Sequence, residues 1–313
     1  MRKLDRNAVF NISLKAVLFI TVFCGCSCLL RFVLRVSVIP SVVVPAVLAF
    51  SVMLLFSYLL RYTSFYYRYY SFLSAVLYHD KQGDVYCPCC GKYFGHFVDE
   101  RFYADEKRFN PEMFSGSRQD VICGFCRSAP RQRIIADWAE KHTELLKNSR
   151  ILYFAPELSM MLWFERHGIR VTTADLYDSR TDLKLDITST GLPDGSEDIV
   201  FCNHVLEHVS DHNLALAELY RIIRKGGMLV ISFPIDPDSD GMREVRNGSD
   251  EDRIRICGQH DHLRVFGKDC MTMLENAGFE TGVIDTAEMP ESIVPVTGPA
   301  DYDSNRIFCC IRK

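Results

Sequence analysis

The sequence predicts a parallel, doubly wound α/β domain, carried behind a membrane anchor and a small cysteine-ligated lobe. Three observations predict it. From about residue 129, short apolar runs alternate with helical patterns, as in a sheet covered on both faces. Residues 36–60 form a run of 25 without a charge, long enough at 1.5 Å per residue to cross a ~30 Å hydrocarbon layer. Between these parts stand two Cys-x-x-Cys turns, Cys87–Cys90 and Cys123–Cys126. The 48% hydrophobic and 24% charged content of the 313 residues excludes disordered and fibrous classes. The net charge of −4 argues against a basic nucleic-acid binder. The charge is split: the first 80 residues hold eight Lys/Arg against two Asp/Glu, and the rest hold 28 against 38.

The anchor, 1–79, is expected to be a helical hairpin with spans over about 13–32 and 37–60. Residues 16–30 form a 15-residue charge-free run between Lys15 and Arg31, which spans if one of these cations snorkels. Pro40 and Pro45 sit near one end of the second span, where proline is tolerated. Arg2, Lys3 and Arg6 precede the hairpin, and Arg61 and Arg68 follow it, against Arg31 and Arg35 in the turn. This bias places both termini in the cytosol and the protein in the inner membrane as a multi-pass chain. Tyr62, Phe65, Tyr66, Tyr67, Tyr69 and Tyr70 follow at once and suit the headgroup zone of the bilayer.

The lobe, 80–128, gathers Cys87, Cys90, Cys123 and Cys126. Two Cys-x-x-Cys turns bring four thiolates into a tetrahedron around a structural Zn²⁺. Cys89, inside the first turn, is expected to be a spectator. Disulfides need an oxidising compartment, which the orientation argument opposes. Arg127, Arg131 and Arg133 form the one strongly basic stretch beside the lobe.

The body, 129–313, opens with a Pro-led helical pattern over 130–146. Strands are expected at 150–155, 170–174, 183–185, 198–202, 228–233, 282–284 and 307–311. Helices are expected at 158–167, 212–224 and 268–277. Lys225-Gly226-Gly227 reads as the cap that ends the second of these helices. The last two strands follow one another without a helix, which allows an antiparallel final strand. The Asp-, Gly- and Ser-rich stretch 236–252 is too long for a plain connector and reads as a lid or substrate loop.

The segment DIVFCNHVLEHV at 198–209, followed by ALAELYRIIRKGGMLVISFP, resembles class I S-adenosylmethionine-dependent methyltransferases. The lobe, an Ala-Pro-Glu after the first strand and GQHDHLRVFGKD downstream resemble a bacterial subgroup of that family. The resemblance covers about 128–313 and implies a Rossmann-like class I methyltransferase sheet that binds S-adenosyl-L-methionine. Asp175, ending the second strand, is expected to accept from the ribose hydroxyls, because a carboxylate takes two hydrogen bonds. Asp186 is expected to meet the adenine amino group, with the Ile187 N–H on the ring. The family's Gly-rich first loop is here Phe154-Ala155-Pro156-Glu157, without glycine. Ala155 is small enough for close approach, and Glu157 is placed against the cofactor's ammonium. Phe154, Leu176 and Asn203 complete the expected cofactor set.

The resemblance implies an enzyme that aligns donor and acceptor for in-line transfer and removes a proton from the acceptor. His204 and His262 are the expected bases, since His titrates near neutrality, and Asp261 is expected to orient one of them. His204-x-x-Glu207-His208 also matches a zinc-peptidase pattern, which requires a helix and here directly follows a strand. Some O-methyltransferases of this fold carry Glu-x-x-Glu-His at this place and hold a divalent metal with it. Here the first position is His204, and a second metal at His204, Glu207 and His208, completed by His260 or His262, stands beside the plainer reading of hydrogen-bonded pocket residues. The anchor points to O-methylation of a small, lipid-linked or glycan-like acceptor at the bilayer; DNA is not an expected partner, and the acidic body disfavours RNA. An RNA or protein methyltransferase that grips its polymer with the lobe, and a non-catalytic membrane adaptor, remain the alternatives.

Overall fold

The computed structural model of the protein describes residues 85–97, 121–290, 293 and 306–313. The chain divides at His79/Asp80, and every described residue lies in the second unit. Both expected spans and the aromatic stretch after them fall outside the described residues. Among the described residues no helix is long and apolar enough to cross a membrane.

Strands β1 (Val85–Cys87) and β2 (Lys92–Phe94) pair antiparallel around the first cysteine turn. Helix α1 (Pro130–Lys141) starts with proline at its first position, where the missing N–H costs nothing. It gives way to a short α2 (Thr143–Lys147) at His142, so the expected single pattern is two helices. The Thr143 hydroxyl donates to the carbonyls of Ala139 and Glu140 and competes with the helical ladder there.

There follow β3 (Ile151–Phe154), α3 (Leu158–Arg166), β4 (Thr172–Asp175), β5 (Leu183–Lys184) and β6 (Glu197–Asn203). Helix α4 (His212–Ile222) is capped by Asp211, whose carboxylate accepts from the amides of Asn213 and Leu214. Next come β7 (Ile223–Ser232), β8 (Arg243–Glu244), α5 (Asp250–Cys257), β9 (Arg264–Val265), α6 (Cys270–Asn276), β10 (Phe279–Val283) and β11 (Phe308–Arg312).

Seven strands form one sheet in the order β10-β11-β7-β6-β3-β4-β5. β3 to β7 pair in parallel, and β11 runs antiparallel between β7 and β10. Alternating side chains split between the two faces. Ile151 and Tyr153 of β3 pack with Trp163 and Phe164 of α3, Ile134 and Ile135 of α1, and the cysteine lobe. Leu152 and Phe154 pack on the opposite face with Leu216 and Leu219 of α4 and Leu274 of α6.

Two expectations are corrected. Helix α4 stops at Ile222, and Gly226 and Gly227 lie within β7. A Cβ on Gly227 would stand 2.7 Å from the Asp198 carbonyl oxygen and 2.8 Å from that of Arg224. This glycine therefore serves a close backbone approach beside β6, and not a helix cap. The 236–252 stretch is also not one loop: it contributes β8 and the start of α5, and β8 pairs antiparallel with β9.

Candidate functional site

The chain proceeds from β3 outward to β4 and β5, then returns to β6 on the other side of β3. Where the strand order reverses, the loops at the carboxyl ends of β3 and β6 part and leave a crevice. A cleft of about 710 Å³ lies there, within the ~300–1,000 Å³ typical of small-molecule sites. The end of β3 contributes Phe154 and Ala155, the end of β4 contributes Asp175 and Leu176, and the stretch after β5 contributes Asp186 and Ile187. His204 and His208 from the turn after β6, and Asp261 from the segment before β9, close the other side.

Two non-glycine residues in this cleft hold left-handed backbone: Ala155 at φ 48° and His204 at φ 53°. Such a conformation costs about 1–2 kcal/mol at an L-residue. Both are fixed by hydrogen bonds that continue the sheet, Ala155 N to the Ala174 carbonyl at 2.9 Å and His204 N to the Ser232 carbonyl at 2.8 Å. The strain thus falls on the two loops that flank the switch point, as is common where backbone must face a ligand. Ala155 takes the backbone shape that a glycine would take without cost.

Asp175 and Asp186 each spend one oxygen locally. Oδ1 of Asp175 accepts from the amides of Tyr177 and Asp178 at 2.7 and 2.8 Å. Oδ1 of Asp186 accepts from the amide and hydroxyl of Thr188 at 2.8 and 2.7 Å. These turns orient both carboxylates, and the Oδ2 atoms make no hydrogen bond among the described residues.

The turn after β6 concentrates ionisable groups. His204 Nδ1 lies 3.1 Å from Oε1 of Glu207. Glu207 is wholly buried, and neither of its oxygens makes a well-aligned hydrogen bond. Burial pushes this carboxyl up, but His204, with His262 and His208 nearby, brings it down to about 2. His208 Nδ1 donates to the Asp261 carbonyl and His262 Nδ1 to the Cys257 carbonyl, each at 3.1 Å. Burial is the main reason that His262 is brought down to about 4. The ligand atoms of Glu207, His208 and His262 lie within 4.8 Å of one another. The set thus includes His262, one of the two completing ligands expected, and leaves out His204 and His260.

Arg264 builds this turn. It is fully buried, and its guanidinium donates to the carbonyls of Leu206, Val209 and Ser210 and pairs with Glu244 at 2.7 Å. Leu263 N donates to the Glu207 carbonyl at 2.8 Å. The HDHLRVF segment and the VLEHV segment are thus one structural unit, which explains why they occur together.

Three expected site residues stand elsewhere. Glu157 does not line the cleft: its carboxylate takes Arg131 at 2.8 Å, the Gln132 amide, and the Tyr153 hydroxyl at 3.2 Å. Asn203 is buried behind the cleft, where its Oδ1 accepts from Ser232 at 2.9 Å and its Nδ2 has no partner. His262 is 5% exposed and sits behind His208. Asp261 faces His208 at 3.6 Å and His260 at 3.7 Å, and not the two expected bases. Tyr177, 89% exposed yet part of the cleft wall, was not foreseen; an aromatic two residues after a strand-ending Asp was the available signal.

Away from the cleft, Cys87, Cys90, Cys123 and Cys126 gather in one buried cluster. Cys87 and Cys126 sulfurs are 3.6 Å apart, and those of Cys90 and Cys123 are 3.9 Å apart. Four sulfurs held about 2.3 Å from one Zn²⁺ would have edges of about 3.8 Å, so the thiols already fit that ion. Cys89 is buried beside them. Arg133, fully buried, donates to the carbonyls of Val121 and Ser128 at 2.8 Å and places a cation near the sulfurs.

Parts of the chain are similar to known proteins. The methyltransferase-domain family matches residues 159–231. The chain is 39% identical over 82 residues to the malonyl-[acyl-carrier protein] O-methyltransferase of Serratia marcescens, over 23% of this chain and 32% of that one. The match thus spans about a third of that relative's length. A SAM-dependent methyltransferase from Archaeoglobus fulgidus is similar over 60% of this chain and 96% of its own, at 14% identity and a TM-score of 0.37. The Burkholderia thailandensis 1,6-didemethyltoxoflavin-N1-methyltransferase is similar over 57% and 78%, at 14% identity and a TM-score of 0.35. The seven strands form a Rossmann-like α/β methyltransferase sheet, and the domain match with the relative supports an S-adenosylmethionine-dependent methyltransferase.

Proposed function

We propose that this chain is a membrane-anchored S-adenosylmethionine-dependent methyltransferase that methylates an oxygen of a small, lipid-linked or glycan-like acceptor at the cytosolic membrane face. The observation that carries the reading is the switch-point cleft, with Asp175 and Asp186 on one wall and His204 on the other, in a chain whose residues 159–231 match a methyltransferase domain. S-adenosylmethionine, when bound, supplies an electrophilic methyl group. Asp175 holds the ribose through its unspent oxygen, Asp186 and Ile187 receive the adenine, and Ala155 lets the β3 loop come close. His204 takes the proton from the acceptor hydroxyl. Glu207, at 3.1 Å, orients the ring.

Oxygen as the acceptor atom is supported by the O-methyl transfer named for the Serratia relative. A small acceptor, and not a polymer, is supported by the engagement within the fold of the two arginines in α1 beside the lobe: Arg133 is buried and Arg131 pairs with Glu157. The uncharged run 36–60, read as a span from the sequence, supports a bilayer-associated substrate. Cys87, Cys90, Cys123 and Cys126 hold a structural zinc, and Glu207, His208 and His262 fit a second divalent ion at the cleft wall, where of the three only His208 lines the cleft. The acceptor class is tested with methyl-labelled cofactor, full-length protein, and separate lipid, polar-metabolite and RNA extracts. Label should enter the lipid or glycan-bearing fractions. Incorporation into RNA alone would contradict the reading.

A further inference from the structure

We propose that the cysteine lobe controls cofactor affinity through Gln132, so that zinc and S-adenosylmethionine bind with positive coupling. The inference rests on the zinc and cofactor reading above, and adds a positioning role that neither site requires.

Helix α3 begins at the cleft and ends on the lobe. Its N-cap, Glu157, follows the strained Ala155 by two residues. Near its other end, Arg166 Nη1 donates to the carbonyls of Pro88 and Cys89 in the first cysteine turn, at 3.0 and 3.1 Å. The helix is thus tied to the lobe at its far end, while its near end bears the cleft loop.

The near end is tied as well, through three successive side chains in the first turn of α1. Arg131 pairs with Oε1 of Glu157 at 2.8 Å. Gln132, 5% exposed, donates its amide to the same oxygen, and its own Oε1 accepts from the Ala129 backbone N–H at 2.7 Å. Arg133 donates to Val121 and Ser128. Ser128 in turn lies 3.2 Å from the Cys87 sulfur and 3.4 Å from that of Cys126. The backbone of 128–129 is therefore held by the sulfur cluster on one side and by Gln132 on the other, and Gln132 passes that position to Glu157.

A buried amide gripped at both ends cannot shift without breaking a hydrogen bond in a dry place. If zinc leaves and the second cysteine turn relaxes, Ala129 moves, and Glu157 and the Ala155 backbone lose their reference. The cleft loop is held against its own conformational preference, so it is the part that yields. Because binding free energies are linked, the cofactor must favour zinc retention by the same factor by which zinc favours the cofactor.

The test uses full-length, zinc-loaded protein. Zinc affinity is read by equilibrium competition against a chromophoric chelator, with and without saturating S-adenosylmethionine, and cofactor affinity by calorimetry. In the wild-type protein the cofactor should tighten zinc about 5- to 150-fold. Gln132→Leu should still carry one zinc per chain, bind the cofactor more weakly, and lose the tightening. Gln132→Glu, which keeps the Ala129 contact but repels Glu157, should also lose it, so the proposal stands on two variants if one fails to fold. Wild-type protein that binds both ligands with no mutual effect, or coupling that persists in both folded variants, would overturn the inference alone. Absence of cofactor binding in the wild-type protein would overturn it together with the functional reading.

Discussion

His204 is where the chemistry of the account is most concentrated. Its ring faces the cleft, its Nδ1 lies against a wholly buried carboxylate, and its backbone is held left-handed by a bond to Ser232. Once an acceptor is in hand, His204→Ala should lower turnover by ~10²- to 10⁴-fold while calorimetry finds cofactor affinity almost unchanged. Turnover at the wild-type level would remove His204 from the proton path. The cleft placement of Asp175, Asp186 and His204 was legible in the sequence because each ends a strand or follows one within two residues, and a strand end fixes position without long-range knowledge. Glu157 and His262 were not. What each carboxylate or ring meets was decided by partners far along the chain or behind the wall: Arg131 and Gln132 for one, Cys257 and His208 for the other.

At the scale of elements, the parallel core is pinned by Asp198 near the amino-terminal end of the central strand β6. Its carboxylate accepts from the Arg150 backbone N–H at 2.7 Å and from Arg224 at 2.6 Å, joining the approach to β3 with the start of β7. Partial burial pushes this group up, but Arg150 and Arg224 hold it at about 2, below its ordinary 3.8. A depressed carboxyl stabilises the fold in full above its ordinary value and loses that contribution as pH falls through the folded value. Thermal melting from pH 7 to 2 should therefore show Asp198→Asn melting below wild type at neutrality, with the gap closing between about pH 4 and 2. A gap independent of pH would show that the carboxylate's charge is not what binds the strands. The seven strands of the large sheet and most helices followed from periodicity, while β1, β2, β8 and β9 did not. The Gly226-Gly227 turn did not, because a glycine that caps a helix and one that admits a neighbouring backbone look alike until the neighbour, here the Asp198 carbonyl, is known.

For the whole described unit, the lobe and the sheet share one core: Cys87, Cys123 and Cys126 pack in the same cluster as Tyr153, Trp163 and Phe164. The ligand spacing was legible in the sequence, but this sharing was not, since no local pattern says against which face a lobe will pack. Cys126→Ser should lose zinc and lower the melting temperature of the described unit by roughly 10 °C or more, in one transition and not two. Cys89→Ser should keep the metal, and zinc content by mass spectrometry separates the two variants. In the proposed function these parts converge on a cleft that would hold S-adenosylmethionine by the carboxylate at the end of β4. The most direct test is calorimetric titration of the cofactor into wild-type and Asp175→Ala protein. Loss of the ribose acceptor should cost about 1.5–3 kcal/mol and weaken binding by roughly 10- to 150-fold with the melting temperature held. Equal affinity in the two proteins, or no binding by either, would contradict the account.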